Sequence, residues 1–252
     1  MAARRSAIPR GRLHVDAPWH VPGFASRHVR IYTPAGDPGS PRPLLLLFDG
    51  QNVFDDAGSF AGGWHTHRAI EKLARKRPRP IVVGIDHGGV DRIRELSPFP
   101  TRAGAGAGES FVGWVAHTLV PEMRRRHAIV PGPAGVLIGG SSMGGLAATY
   151  AHFRYPEVFG GALAMSPSFW LGGRAIHDFV QAQPTPWTSR VYLDAGSREG
   201  GMATLVERMA GHLRERGYGD DKLLARVDPR GGHNEPSWRR RLPGALRFFY
   251  RA

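Results

Sequence analysis

Residues 137–145 read LIGGSSMGG, which places Gly140, Ser142 and Gly144 on the pattern G-x-S-x-G. A serine hydroxyl is a weak nucleophile. It becomes useful in acyl transfer when a base takes its proton and fixed donors hold the developing oxyanion. The glycines suit such a serine for a steric reason. A nucleophile at the apex of a sharp strand-to-helix turn has strained backbone angles, and the flanking positions must be almost free of side chain so that strand and helix can approach. The same residues also suit a tight glycine turn whose serines cap the following helix. Ser141 fits that structural role. Ser142 fits catalysis, because a strand-like VLIGG precedes it, a helix-like LAATYAHF follows it, and partner residues lie downstream.

The histidines after Ser142 are His152, His177, His212 and His233. Hydrolases built on such an elbow place serine, then acid, then histidine along the chain. His152 and His212 fall inside helical stretches, and His177 precedes the strand 191–196 whose end would supply the acid. His233 remains as the base, in the loop RGGHNEPSW between the strand-like 223–228 and a final helix. For the acid, VYLDAGSREGG offers Asp194 and Glu199. Glu199 is favoured, since it lies further into the loop where it can reach a histidine, with Asp194 as the alternative. The oxyanion needs two backbone N–H donors, one after the nucleophile and one from the loop after an earlier strand. Met143 supplies the first and Gln51, in LLLLFDGQNVFDD, the second; an ordinary Asp-Gly turn is the competing reading of the latter.

Elements that alternate between strand and helix are needed to bring these loops together. Strand-like 12–16 and 27–33 suggest an antiparallel edge, and LLLLF is an apolar run too short for a helix, so it reads as a strand buried on both faces. Helix-like 64–76, 109–127, 143–154 and 201–216 then alternate with strand-like 81–86, 136–140, 160–166 and 191–196. This alternation predicts a mostly parallel sheet with helices on both faces, an α/β class, formed as a single domain over 1–252 with 1–10 as a flexible tail. Phe111, Val115, Leu119 and Met123 recur every fourth residue and stack along one helical face, as core packing requires.

Composition narrows the function classes. With 41% hydrophobic and 22% charged residues the chain is neither disordered nor fibrous. A net charge of +13 raises nucleic-acid binding, yet lysine occurs only at Lys72, Lys76 and Lys222, and the arginine runs 124–126 and 239–241 lie in or beside amphipathic helices, where a charge run is a solvated face. No nucleic-acid partner is therefore expected. There is no cysteine, hence no thiol nucleophile, and no window approaches a membrane span. The early arginines have no apolar segment behind them, so a cytoplasmic location is expected. His65 and His67 are the one closely spaced histidine pair, and a solvated helix start explains them better than a metal. Trp64, Phe54 and Trp170 are candidate walls of an acyl or aryl pocket, and Arg92 and Arg94 are candidates for an anionic substrate.

The segments LLLLFDGQNVFDD, IVVGIDHGGVDRIRELSPF, GESFVGWVAHTLVPEM, GVLIGGSSMGGLAATYAHFRYPEVFGGALAMSPSFW, VYLDAGSREG and GGHNEPSWRRRLPGALRFF resemble the esterase D-like branch of the α/β-hydrolases. That branch includes enterochelin-type siderophore esterases, feruloyl esterases, S-formylglutathione hydrolase and mycolyltransferases. The resemblance runs from about residue 44 to 249. It implies an α/β-hydrolase fold, Ser142 as nucleophile, His233 as base, Glu199 as the acid, Gln51 and Met143 as oxyanion donors, and no metal or organic cofactor. A Ser–His dyad, found in some siderophore-esterase-like members, is the alternative to a triad. Arg92 and Glu95, in the block RIRE, either shape the pocket or pair with each other; Asp49, Arg92 and Trp170 form the candidate substrate-binding set. The expected activity is serine carboxylic-ester hydrolysis of a small-molecule ester, anionic or aromatic. The rivals are an acyltransferase of the same fold and a non-catalytic binding protein on a hydrolase scaffold, and self-association stays open.

Overall fold

The computed structural model describes residues 11–250 except 38, 74–77, 103, 187 and 188; the expected tail, 1–10, lies outside the described residues. The strands are β1 (Arg12–Val15), β2 (Trp19–Val21), β3 (Phe24–Arg27), β4 (Val29–Thr33), β5 (Leu44–Phe48), β6 (Ile81–Ile85), β7 (Val136–Ser141), β8 (Gly161–Met165), β9 (Arg190–Gly196) and β10 (Leu223–Asp228). The helices are α1 (Thr66–Glu71), α2 (Arg92–Leu96), α3 (Gly108–Trp114), α4 (Val120–Arg126), α5 (Met143–Arg154), α6 (Ala175–Ala182), α7 (Met202–Glu215) and α8 (Glu235–Tyr250).

Eight strands form one sheet in the order β1-β4-β6-β5-β7-β8-β9-β10. From β6 to β10 all neighbours are parallel, while β4 and β1 add an antiparallel edge. Every residue of β5, β6, β7 and β8 is buried, as strands covered by helices on both faces must be. The expected α/β-hydrolase architecture is the one observed. The sheet order reverses at β5: the chain moves to β6 on one side, then returns to place β7 on the other. The loops after β5 and β7 therefore open side by side at the carboxyl ends of the strands, where α/β sheets form their ligand crevices.

Three local features differ from the expected elements. The small hairpin β2–β3 stands outside the main sheet, and its strands, of three and four residues, are too short to mark themselves in sequence. The short helices α2 and α6 fall between the expected elements; α2 is too short for a periodic pattern, while α6 carries an apolar pair at helical spacing, Ile176 and Val180, both buried. The helix expected over 109–127 is broken into α3, a wide π turn over Val115–Leu119, and α4. Pro121 accounts for the break, since it has no N–H for the carbonyl of His117 and its ring crowds that carbonyl. Phe111, Val115, Leu119 and Met123 are nonetheless all buried in the core.

The hairpin is tied to the domain by charge. Arg27 at the end of β3 donates from Nη1 to Glu95 Oε2 at 2.8 Å, both side chains fully enclosed, and Glu95 Oε1 accepts the Gly88 N–H at 2.8 Å. The Arg27 guanidinium also lies over the Phe111 ring, 4.6 Å from its centroid. Glu95 is thus the anchor of α2 and of the loop after β6, and it does not pair with Arg92. Removing one partner of a buried pair strands the other charge. Glu95→Ala is expected to lose about 3–5 kcal/mol in urea denaturation, and the double change Arg27→Met with Glu95→Leu to recover most of it. A loss below about 1 kcal/mol for Glu95→Ala would contradict this assignment.

Candidate active site

The turn between β7 and α5 is a single residue long. Ser142 has φ 55° and ψ −120°, a conformation that costs a non-glycine residue on the order of 1–3 kcal/mol. Its geometry depends on the two glycines. A Cβ on Gly140 would lie 2.7 Å from the Gly144 carbonyl carbon, and a Cβ on Gly144 would lie 3.1 Å from the Phe48 Cβ. Ser141 closes β7 as a buried residue, and Ser142 projects from the turn, with its N–H bonded to the Met165 carbonyl at 2.9 Å.

Ser142 Oγ is 2.9 Å from His233 Nε2, and His233 Nδ1 is 3.0 Å from Glu199 Oε2. An ionised carboxylate only accepts, so Nδ1 carries the imidazole proton and Nε2 is free to accept from the serine hydroxyl. Ser142 Oγ also lies 3.2 Å from Ser168 Oγ. Met143 is the first residue of α5 and Gln51 sits in the short turn Gly50–Asn52 after β5. Their N–H groups are at the open amino-terminal ends of these turns, on adjoining loops, where such donors lack acceptors within the helix. The Gln51 side chain accepts the His87 N–H at 3.4 Å.

Glu199 is completely enclosed, with one oxygen facing His233 and the other held from three directions. Oε1 accepts from the Gly196 N–H at 2.7 Å, from Ser166 Oγ at 2.9 Å and from Arg241 Nη1 at 3.2 Å. Burial pushes the Glu199 carboxyl up, but the hydrogen bonds of His233 and Ser166 and the charge of Arg241 outweigh it, leaving the group below its usual range. Asp194, the alternative acid, lies in β9 and is entirely buried. It accepts from the Tyr192 hydroxyl at 2.8 Å and the Ser166 N–H at 3.2 Å, and faces Arg241 Nε at 3.2 Å. Burial raises its carboxyl to about 6 against the opposing pull of Arg241. No contact joins it to His233 among the described residues.

The other histidines have separate surroundings. His152 is fully buried, with its ring nitrogens 2.9 Å from the Phe159 carbonyl and 2.5 Å from Ser189 Oγ, and burial lowers its pKa to about 4. His177 is buried against Phe169, and desolvation likewise takes it to about 4. His65 and His67, expected in solvent, are half-buried: His65 Nδ1 lies 3.0 Å from the Phe54 carbonyl, and the His67 ring packs on Tyr32 and Phe54. Among the described residues no group of three histidine, aspartate or glutamate side chains is placed to hold a metal.

The substrate-side candidates divide. Phe54 and Trp64 are buried in the second apolar cluster, Trp64 packed on Trp238. Trp170 is 59% exposed on the loop after β8, two residues beyond Ser168, whose N–H bonds the Ser142 carbonyl at 2.9 Å. Asp49 is buried with φ 57° and accepts from Arg92 on both oxygens, at 2.6 and 2.8 Å, so it holds Arg92 in place. Arg92 keeps Nη1 uncommitted among the described residues and remains part-exposed. Arg94 instead donates to the Gly23 carbonyl at 3.2 Å and lies over Phe24, on the hairpin.

Three site residues escape a reading of the sequence. Ser166 (φ 45°) and Arg241 donate to the enclosed oxygen of Glu199, and Trp238 Nε1 bonds Ser166 Oγ behind them. Arg241 belongs to a run that looks solvated, yet it is buried. The available signal was the spacing of Trp238, Leu242 and Ala245, which marks the inward stripe of α8 and carries Arg241 with it. Of the four non-glycine residues with positive φ among those described, Asp49, Ser142 and Ser166 surround this site, where backbone strain gathers at functional positions.

Residues 25–249 match the family model described as "Putative esterase". The iron(III) enterobactin esterase of Dickeya dadantii (strain 3937) is 28% identical over 240 residues, which cover 88% of this chain and 51% of that protein. The uncharacterized protein YbbA of Bacillus subtilis (strain 168) is 22% identical over 223 residues, covering 82% and 85%. Among solved structures, the enterobactin esterase FES from Shigella flexneri, in the presence of 2,3-di-hydroxy-N-benzoyl-serine, superposes with a TM-score of 0.72 at 23% identity, covering 97% of this chain and 60% of that one. An IroE-like serine hydrolase from Shewanella oneidensis gives 0.78 at 18% identity, covering 95% and 80%. The likeness to these two structures is one of fold. The chain spans about half the length of the enterobactin esterase it matches.

The close approach at the elbow makes a direct test. Gly140→Ala forces strand and helix apart, and a displacement of about 1 Å at a reacting group can cost about 10²-fold in rate. Reaction of Ser142 with a fluorophosphonate is expected to slow by that order in Gly140→Ala and less in Gly144→Ala, where the added methyl meets Phe48 Cβ at 3.1 Å rather than backbone at 2.7 Å. Equal wild-type rates in both variants would show that the turn tolerates a methyl group there.

Proposed function

The chain belongs to the Putative esterase family, on the enterochelin-esterase-like branch of the α/β-hydrolases, and from that premise we propose that it is a serine carboxylic-ester hydrolase working through an acyl-enzyme with Ser142, His233 and Glu199. The observation that carries this reading is the continuous path from Ser142 Oγ to His233 Nε2 at 2.9 Å and from His233 Nδ1 to Glu199 Oε2 at 3.0 Å, starting at a serine held in a strained turn.

In the proposed reaction Ser142 Oγ attacks the ester carbonyl carbon while His233 Nε2 takes the hydroxyl proton. The carbonyl oxygen gains the negative charge and is held by the N–H groups of Met143 and Gln51, each worth about 3–4 kcal/mol in such holes. The imidazolium is stabilised by Glu199. His233 then returns the proton to the leaving alkoxide, the C–O bond breaks, and an acyl-Ser142 ester remains. Water, deprotonated by His233, attacks that ester and releases the acid. The imidazole of His233 is 40% exposed, so water has access, which favours hydrolysis over transfer to an alcohol. A cytoplasmic location and a single catalytic unit accompany the proposal.

For the substrate, Arg92 offers Nη1 to an anionic group while Asp49 fixes its orientation, and Trp170 offers an exposed indole face to an aromatic or apolar one. Relatives named as enterobactin and salmochelin esterases, and the solved one with 2,3-di-hydroxy-N-benzoyl-serine, make enterobactin and esters of that acyl-serine the first compounds to assay.

A fluorophosphonate probe should label the wild type and Ser141→Ala but not Ser142→Ala. Turnover of p-nitrophenyl butyrate should fall by on the order of 10⁴-fold or more in Ser142→Ala and about 10³-fold in Glu199→Gln, but less than about tenfold in Asp194→Asn. Labelling that survives in Ser142→Ala would contradict the nucleophile, and a larger loss in Asp194→Asn than in Glu199→Gln would reassign the acid. Arg92→Gln is expected to raise KM for anionic esters and to leave neutral esters unchanged. Product analysis with an added acceptor alcohol separates hydrolysis from acyl transfer.

A further inference from the structure

Behind Glu199 lies a second carboxylate, and one guanidinium stands between the two. Arg241 donates from Nη1 to Glu199 Oε1 at 3.2 Å and from Nη2 to Ser166 Oγ at 2.7 Å, while its Nε faces Asp194 Oδ2 at 3.2 Å. The three side chains are enclosed: Arg241 is 6% exposed, Asp194 1% and Glu199 not at all. Ser166 Oγ sits at the junction, donating to Glu199 and accepting from Arg241 and from Trp238 Nε1 at 3.0 Å, while the Ser166 N–H bonds Asp194 Oδ1. Room for this arrangement is reserved in the backbone. A Cβ on Gly231 would lie 2.7 Å from Arg241 Nη1, and one on Gly196 would lie 2.6 Å from Glu199 Oε1.

We propose that Arg241 is the positioning residue of this site, dividing its guanidinium between Asp194 and Glu199 so that one Glu199 oxygen is fixed and the other is presented to His233. Asp194 in turn orients Arg241 and makes no contact with the histidine. The inference rests on the assignment of Ser142, His233 and Glu199 above, and adds to it a layer that acts through Glu199.

The physical logic is one of charge. Two buried carboxylates this close repel each other, and a buried carboxylate without a counter-ion gains a proton instead. Arg241 supplies the compensating charge, and its planar fork sets direction, which a lysine would not. The charged and titratable groups around it are Tyr192 and Asp194 from β9, Glu199 from the loop that follows, Arg226 and Asp228 from β10, Arg230 and His233 from the loop before α8, and Arg240 and Arg247 from α8. Asp228 is taken by Arg240 at 2.6 Å, so Arg241 is the cation in contact with Glu199.

The sign of the effect follows. Removing a positive charge next to Glu199 and His233 makes both hold protons more tightly, so the form with Glu199 ionised and His233 neutral appears only at higher pH. In Arg241→Met the acid limb of kcat/KM for p-nitrophenyl butyrate should move up by about one pH unit or more, with a loss of about 10²-fold at pH 7 that shrinks as pH rises, and KM little changed. Arg241→Lys should return the limb close to its wild-type position. Asp194→Asn, which leaves Arg241 undivided, should move it down. The same displacements are expected in the NMR titration of the His233 ring, a readout that needs no turnover and therefore tests Arg241 even if the chain proves not to hydrolyse esters. A folded Arg241→Met protein whose His233 titration and acid limb stay in place would overturn the proposal, whatever its rate. So would an equal upward displacement in Arg241→Lys. If Arg241→Met does not fold, Asp194→Asn decides alone: a downward displacement supports the proposal and an unmoved titration overturns it.

Discussion

The whole site hangs on the close approach of β7 and α5 at Gly140 and Gly144. Strand and helix meet with no side chain between them, and the one residue that joins them, Ser142, has no room for a relaxed conformation. Its hydroxyl is thereby lifted off the carboxyl end of the sheet instead of packing beneath it. Because β7 lies in the middle of the sheet, the loops after β5, β8, β9 and β10 all open around that hydroxyl. Gln51, Ser168, Glu199 and His233 each come from a different one of those loops. A strained turn is stable only when its surroundings over-determine it, and fully buried neighbouring strands provide that rigidity.

A second constraint is the handling of charge in a basic protein. The surplus of arginine is put to structural use at several points. Arg27 locks Glu95 beneath the hairpin, Arg92 is clamped by Asp49 at the loop after β5, and Arg241 lies between Asp194 and Glu199. Each is a guanidinium fork against a carboxylate in a poorly hydrated place, where a flexible ammonium would set no direction. The acids involved sit on the loops or strands that deliver the site, so the ion pairs fix geometry more than they add stability.

The arrangement around Glu199 shows how much support one catalytic-type carboxylate requires. One oxygen is saturated by a backbone N–H, a serine hydroxyl and a guanidinium, so the carboxylate has a single orientation open to it. The other oxygen meets an imidazole whose second nitrogen meets the serine. α8 contributes to both sides of this layout, since Trp238 packs edge-on to the His233 ring at 5.1 Å between centroids and bonds Ser166, while Arg241 lies one turn further on.

Local chemistry along the chain was enough to single out Ser142, His233 and Glu199, which the structure brings within hydrogen-bonding distance of one another, and the alternation of strands and helices that carries them. Glycines around a serine, an apolar run before it, and an acid and a histidine each on a loop after a strand are short-range signals. Position further into the loop favoured Glu199 over Asp194, and geometry gives the reason: Asp194 is still inside β9, pointing into the core, whereas Glu199 has cleared the strand end. What tertiary structure decided is who partners whom at long range. Arg92 and Glu95, three residues apart in one short helix, face different partners, one just after β5 and one in β3; Phe54 and Trp64 turn inward; and Arg241, in a run that reads as solvent-facing, is drawn under the site. A sequence records spacing within an element, but the burial of a charge depends on which other element lies over it, and that is set only when the sheet has closed its order and the helices have packed.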